Sequence, residues 1–192
     1  MQFYQNEFAS LPTIRTQRLL LRPLSMRDDK DMFRYCSDPA VSRHVLWDTH
    51  PNIRHTRMTL RAVIRQYKAG KPATFGIERQ SDHRLIGTIG FMWVNTDHRS
   101  AEVGYSLARD CWNQVYATEA LRAALHYGFH TLRLNRIEAQ HEIDNPASGR
   151  VMQKCGMVYE GTLRQAGMCN YGIFDVVCYS LLASEYKSKA AE

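Results

Sequence analysis

At 192 residues, 44% apolar and 23% charged, the chain has the length of one domain with a full core and the composition of an ordinary soluble globular protein. No apolar run is long enough to cross a bilayer and the N-terminus lacks the basic start and apolar core of a secretory signal, so the expected compartment is the cytoplasm. The formal charge of +6 is uneven, with 16 basic and 9 acidic residues in 1–100 against 9 and 10 in 101–192.

A basic half suits an anionic cofactor, nucleic acid, an acidic partner surface or plain solvation. No cluster mixes basic and aromatic residues as RNA readers do, so nucleic acid is not an expected partner. The five cysteines are scattered and form no CxxC pair, which predicts neither a disulfide framework nor a zinc knuckle. His126 and His130 stand four apart without an acidic or sulfur ligand beside them; they read as surface histidines, and no metal is expected.

In chain order, "RLLLRPLS" (18–25) reads as a strand ending near Pro23, and "MRDDKDMFRYCSD" as a helix capped by Ser25 with acids in its first turn. Residues 52–69 put Ile53, Met58, Leu60, Val63, Ile64 and Tyr67 at helical spacing, ended by Gly70 and Pro72. Three extended runs at 73–79, 84–94 and 100–108, split by "QSDH" and "NTDHR", predict an antiparallel meander. A helix beginning near Ala117 carries Ala117, Ala120, Leu121, Ala124, Leu125 and Gly128 as a narrow stripe that can sit close on a sheet. A strand at 135–143, a short helix ended by Gly156 and a last strand at 174–182 complete the chain. The order β, α, α, β, β, β, α, β, α, β predicts an α/β (α+β) fold: one domain over 1–192, its core about 12–186, with a mixed, mostly antiparallel sheet flanked by helices.

The start of the helix at Ala117 is chemically suggestive. First-turn N–H groups have no intrahelical partners and the macrodipole favours an anion, so a strand, a short loop and such a helix start can cradle a pyrophosphate.

"RDCWNQVYATEALRAALHYGF" resembles the acetyl-CoA loop of the GNAT acetyltransferase superfamily, in particular its branch of RimJ and RimL type, the ribosomal-protein N-terminal acetyltransferases. "TQRLLLRPLSMRDDKDMF", "LIGTIGF", "AEVGYSL" and "DNPASGRVMQKCGMVYEGTLRQ" extend the resemblance, in the right order, over nearly the whole chain and include a strand after the asparagine-serine motif. It implies acetyl-CoA as cosubstrate, a primary amine as acceptor (a protein N-terminus or a small molecule) and direct attack. It also implies that backbone N–H groups of Asn113, Gln114, Val115, Tyr116, Ala117 and Thr118 hold the pyrophosphate. The family usually has glycine where this loop has Asn113 and Val115. Asparagine tolerates the left-handed region but β-branched valine does so poorly, so binding is expected to persist, more weakly.

Acetyl transfer needs a base for the ammonium, a donor for the carbonyl oxygen, a contact for the leaving thiolate and a firm hold on the cofactor. Glu102, on the strand before the loop, is the candidate base; its alternative is a surface carboxylate or the partner of an arginine. Glu119 reads instead as a favourable charge in a first helical turn. The resemblance assigns Asn145 and Ser148 to cofactor contacts. Many relatives have a proton-donating tyrosine seven residues after the asparagine, where this chain has Met152; Ser148 is then the remaining thiolate donor, unless its hydroxyl serves only its helix. A bulged strand in the family implies the N–H of Leu107 as oxyanion donor. Tyr35, Trp47 and Trp93 either line the acceptor pocket or belong to the core, on a side made basic by Arg43, His44, Arg54 and Arg57. RimL-like sequences carry a glutamate after a glutamine-alanine pair, where this chain has Gly167. A rival reading is a catalytically weakened GNAT-like fold that binds RNA or a ribosomal or protein surface. Either a monomer or a homodimer through 174–182 is compatible with the sequence.

Overall fold

The computed structural model describes residues 2–72, 74–169 and 171–190. Helix α1 (Gln2–Ala9) and strands β1 (Ile14–Arg15) and β2 (Leu19–Pro23) come first, followed by α2 (Asp29–Cys36), α3 (Pro39–Ser42) and α4 (Ile53–Lys68). The meander β3 (Thr74–Arg79), β4 (Arg84–Asn95) and β5 (Ser100–Leu107) leads to α5 (Tyr116–His126), β6 (Arg136–Glu142) and α6 (Pro146–Lys154). A hairpin of β7 (Val158–Cys169) and β8 (Gly172–Leu182) and then α7 (Ala183–Ala190) end the described chain. Among the described residues the strands form one sheet in the order β1-β2-β3-β4-β5-β6-β8-β7, antiparallel except where β5 meets β6. Periodicity missed α1, β1, α3, β7 and α7. Strand β7 is exposed along most of its length and has no buried position, and among the described side chains of α1 Phe8 is the fully buried anchor.

Local chemistry explains the starts of the helices. Ser25 and Asp28 form the capping box that opens the first helical turn, and Asn52 accepts from the N–H of His55 at 3.1 Å to cap α4. Arg22 donates to Asp28 (2.7 Å) and to Glu78 (2.6 Å), tying β2 and β3 to that first turn.

Parity along the strands separates the two faces of the sheet. Phe91 pairs with Val103 and Ala101 with Ile137, and a Cβ on Gly128 would stand 2.5 Å from Ile137 and 3.2 Å from Phe91. Only glycine lets the end of the α5 segment lie this close to that face. Helix α6 covers the same face further along, where Gly149 abuts the His141 ring. The opposite face carries Glu102, Glu138 and Glu142, and here His44, from the segment after α3, bonds Glu142 at 2.5 Å.

The pairing of β5 with β6 covers only Ser100↔Arg136, Ala101↔Ile137 and Glu102↔Glu138. Beyond Glu102 the two strands part, and this opening positions the site.

Candidate active site

The free edge of β5 lines the opening. Ala108 donates its N–H to the Ile86 carbonyl at 2.8 Å, and alternation along the antiparallel ladder turns the backbone groups of Tyr105 and Leu107 away from β4, toward the space that β6 has left. The Leu107 carbonyl accepts from the Trp112 indole N–H at 2.9 Å, while its N–H has no β6 partner in the ladder. The expected bulge on β5 is a correction: the irregular register falls on β4, between Phe91 and Trp93, and β5 is freed by strand divergence instead.

The loop leading from β5 to α5 keeps the shape that glycines would allow. Asn113 has φ 59° and Val115, immediately before α5, has φ 67° and ψ 0°. Val115 accepts the Glu119 N–H at 3.0 Å, so the N–H groups of Tyr116, Ala117 and Thr118 are the ones without intrahelical acceptors. The Thr118 side chain is buried, which limits it to its backbone N–H. The Gln114 amide turns back to the Asp110 carbonyl at 2.8 Å, leaving that residue, too, to act through its backbone. Arg18 steadies the loop: its guanidinium lies 4.4 Å from the Tyr116 ring centroid, donates to the Gln114 carbonyl at 3.1 Å and pairs with Glu119 at 2.8 Å. Glu119 also accepts from Thr16 Oγ1 (2.6 Å) and the Arg18 N–H (2.7 Å), so it fastens α5 to the β1–β2 turn. Left-handed residues followed by free N–H groups make an anion nest, and an open strand edge suits an amide-bearing arm; both fit acetyl-CoA.

Glu102 occupies the last paired rung, beside Glu138, and accepts from Trp93 Nε1 at 2.7 Å. Burial pushes its pKa above the ordinary carboxylate value, the Trp93 bond opposes this, and the Glu138 charge adds to the rise. On the α5 and α6 face, Asn145 caps α6 by accepting the Ser148 N–H at 3.3 Å, and Ser148 Oγ lies 2.8 Å from the Tyr105 hydroxyl. Nothing along the sequence singles out Tyr105, whose partner Ser148 is 43 positions away.

Three aromatic candidates part company. Trp93 joins Glu102. Trp47 packs partly buried against the core, its ring 5.5 Å from that of His50. Tyr35, only 3% exposed, is a core residue and does not line an open pocket, which corrects its assignment to acceptor binding. The basic side is partly neutralised, since Arg57 pairs with Asp29 at 2.7 Å. Met152 is buried. A Cβ at Gly167 would stand 2.4 Å from Phe174, so a glutamate there would displace that ring.

The chain belongs to the GNAT acetyltransferases, the Acetyltransferase (GNAT) domain matching residues 18–158. It is 31% identical to the uncharacterized N-acetyltransferase p20 of Bacillus licheniformis over 92% of this chain and 99% of that one. It is 30% identical to the ribosomal-protein-serine acetyltransferase of Escherichia coli (strain K12), over 65% of this chain and 69% of that one, in keeping with the RimJ/RimL-like branch. A GNAT-family acetyltransferase of Bacillus anthracis superposes with a TM-score of 0.81 at 28% identity, covering 91% of this chain and 100% of that one. The protein is therefore an N-acetyltransferase that uses acetyl-CoA.

Proposed function

We propose that the enzyme transfers acetyl to a primary amine, either a protein N-terminal α-amine or a small-molecule amine, by direct attack with Glu102 as base. Acetyl-CoA, when bound, supplies an acyl carbon activated as a thioester. Glu102 takes the ammonium proton at one carboxylate oxygen, directly or through one water, while Trp93 steadies the other. The Leu107 N–H, on the free edge of β5, donates to the carbonyl oxygen as charge develops there. Backbone N–H groups of residues 113–118 hold the pyrophosphate, and Asn145 fixes the turn that presents Ser148 to the sulfur.

The observation that chiefly supports this reading is Glu102 itself: a partly desolvated carboxylate at the mouth of the opening, bonded to an indole N–H and, among the described residues, to no arginine. These surroundings support the base over a freely solvated carboxylate or the partner of an arginine. The name of the Escherichia coli relative makes N-terminal peptides of ribosomal proteins the first acceptors to try.

The test is thiol release from acetyl-CoA with a panel of N-terminal peptides and small amines, beside calorimetric titration with acetyl-CoA, ADP and desulfo-CoA. Acceptor-dependent release that Glu102→Gln lowers about 100-fold, with acetyl-CoA affinity retained, is the expected result. No release with any acceptor, together with RNA binding that weakens steeply with salt, would favour the binding-module reading instead.

A further inference from the structure

We propose, taking Ser148 as the thiolate contact, that Tyr105 is a positioning residue whose hydroxyl donates to Ser148 Oγ and so turns the serine proton toward the leaving sulfur. The geometry is specific. Tyr105 lies on β5 just past the last rung shared with β6, on the face covered by α5 and α6. Its oxygen is 2.8 Å from Ser148 Oγ and 3.1 Å from the Ser148 carbonyl oxygen.

A carbonyl oxygen only accepts, whereas each hydroxyl can donate once and accept. Two arrangements follow. If Tyr105 donates to the carbonyl, its oxygen can accept the Ser148 proton and the serine has nothing to offer outward. If Tyr105 donates to Oγ, the serine proton is released toward the opening. A negative sulfur selects the second arrangement, because a charged acceptor forms the stronger bond and a chain of hydroxyls polarises in one direction. As the C–S bond breaks, its electron pair goes to sulfur, which receives a hydrogen bond; no proton passes along the pair. Burial raises the Tyr105 pKa, so its hydroxyl stays protonated over the ordinary pH range. Met152, further along α6, is buried and offers no proton.

The test reads the product complex. Coenzyme A is bound at saturation to the wild type, Tyr105→Phe, Ser148→Ala and the double variant, and the ultraviolet absorbance of the thiolate is followed against pH. The desulfo-CoA complex is subtracted, which removes protein thiols such as Cys155, itself pushed up to about 11 by burial. Both single variants are expected to raise the pKa of the bound thiol by about one unit, a tenfold smaller thiolate fraction at fixed pH, and the double variant to add little. Turnover should fall while KM for acetyl-CoA holds, because the thioester sulfur carries no charge before reaction. A Tyr105→Phe complex that titrates like the wild type while Ser148→Ala shifts would overturn the role of Tyr105 and leave Ser148 standing. No shift in either would remove Ser148 as the thiolate contact, and Tyr105 with it.

Discussion

The Trp93 indole N–H donates to Glu102 Oε2 at 2.7 Å across neighbouring strands, on the rung just past the β4 irregularity. This bond opposes the burial and the Glu138 charge that raise the Glu102 pKa. In Trp93→Phe only the raising influences remain. With Glu102 as the proposed base, which works deprotonated, the acid limb of kcat/KM should move to higher pH in that variant, and activity should fall earlier on acidification. A pH-rate profile with an unmoved limb would detach Trp93 from the base. In Glu102→Gln the limb should vanish along with about 100-fold of kcat.

Val115 presents a different balance. With φ at 67° it sits in a well that costs a β-branched residue about 1–2 kcal/mol, and at 53% exposure it has little packing to compensate. The folded chain already holds this geometry, so the cost falls on folding and not on cofactor binding. Val115→Gly should therefore stabilise by about 0.5–1 kcal/mol, after the extra freedom of an unfolded glycine is subtracted, and raise Tm by roughly 2 °C. Acetyl-CoA affinity should stay within about threefold. A melt together with calorimetric titration decides the matter: a large gain in affinity with no gain in Tm would place the cost in binding.

These two sites differ in how far they can be read before folding. The α5 stripe with Gly128, the Ser25 cap and the turns of the meander are local signals, set by neighbours within a few residues, and the fold follows from them. The loop departures at Asn113 and Val115 are equally local. Long-range geometry is not. Tyr105 meets Ser148 across 43 positions, beyond the last rung that β5 shares with β6, and no pattern along β5 announces that. An aromatic such as Tyr35 fits a core and a pocket equally well by residue type, and burial alone decides. Strand β7 escaped periodicity because an exposed edge strand has no buried face to impose alternation.

Glu119 illustrates a first-turn charge with a larger structural task. Its carboxylate accepts from Thr16 Oγ1, the Arg18 N–H and Arg18 Nε at 2.6, 2.7 and 2.8 Å, and through Arg18 it steadies the Gln114 carbonyl in the loop. Glu119→Ala should cost about 2 kcal/mol, roughly 6 °C in Tm, because Thr16 and Arg18 lose a charged acceptor. KM for acetyl-CoA should rise severalfold while kcat, measured well below Tm, stays within about twofold. A collapse of kcat instead would give Glu119 a part in the chemistry.

Glu160 connects the far strands and makes stability depend on pH. Arg136 donates to both of its oxygens at 2.6 Å and Ser180 Oγ donates at 2.7 Å, joining β6, β7 and β8. Chiefly through the Arg136 bond, the Glu160 pKa drops from 4.5 to about 2. A carboxylate depressed in the folded state binds fewer protons there than in the unfolded chain, so its contribution is complete above pH 4.5 and is lost as pH falls from 4.5 toward 2. With 40% of the side chain exposed, solvent and salt screen the pair and the amplitude is modest. Tm of the wild type should therefore exceed that of Glu160→Gln at neutral pH, and the gap should close across this acid window, more visibly at low ionic strength. Two melting curves that run parallel through the window would mean that Glu160 is not held by Arg136 in solution.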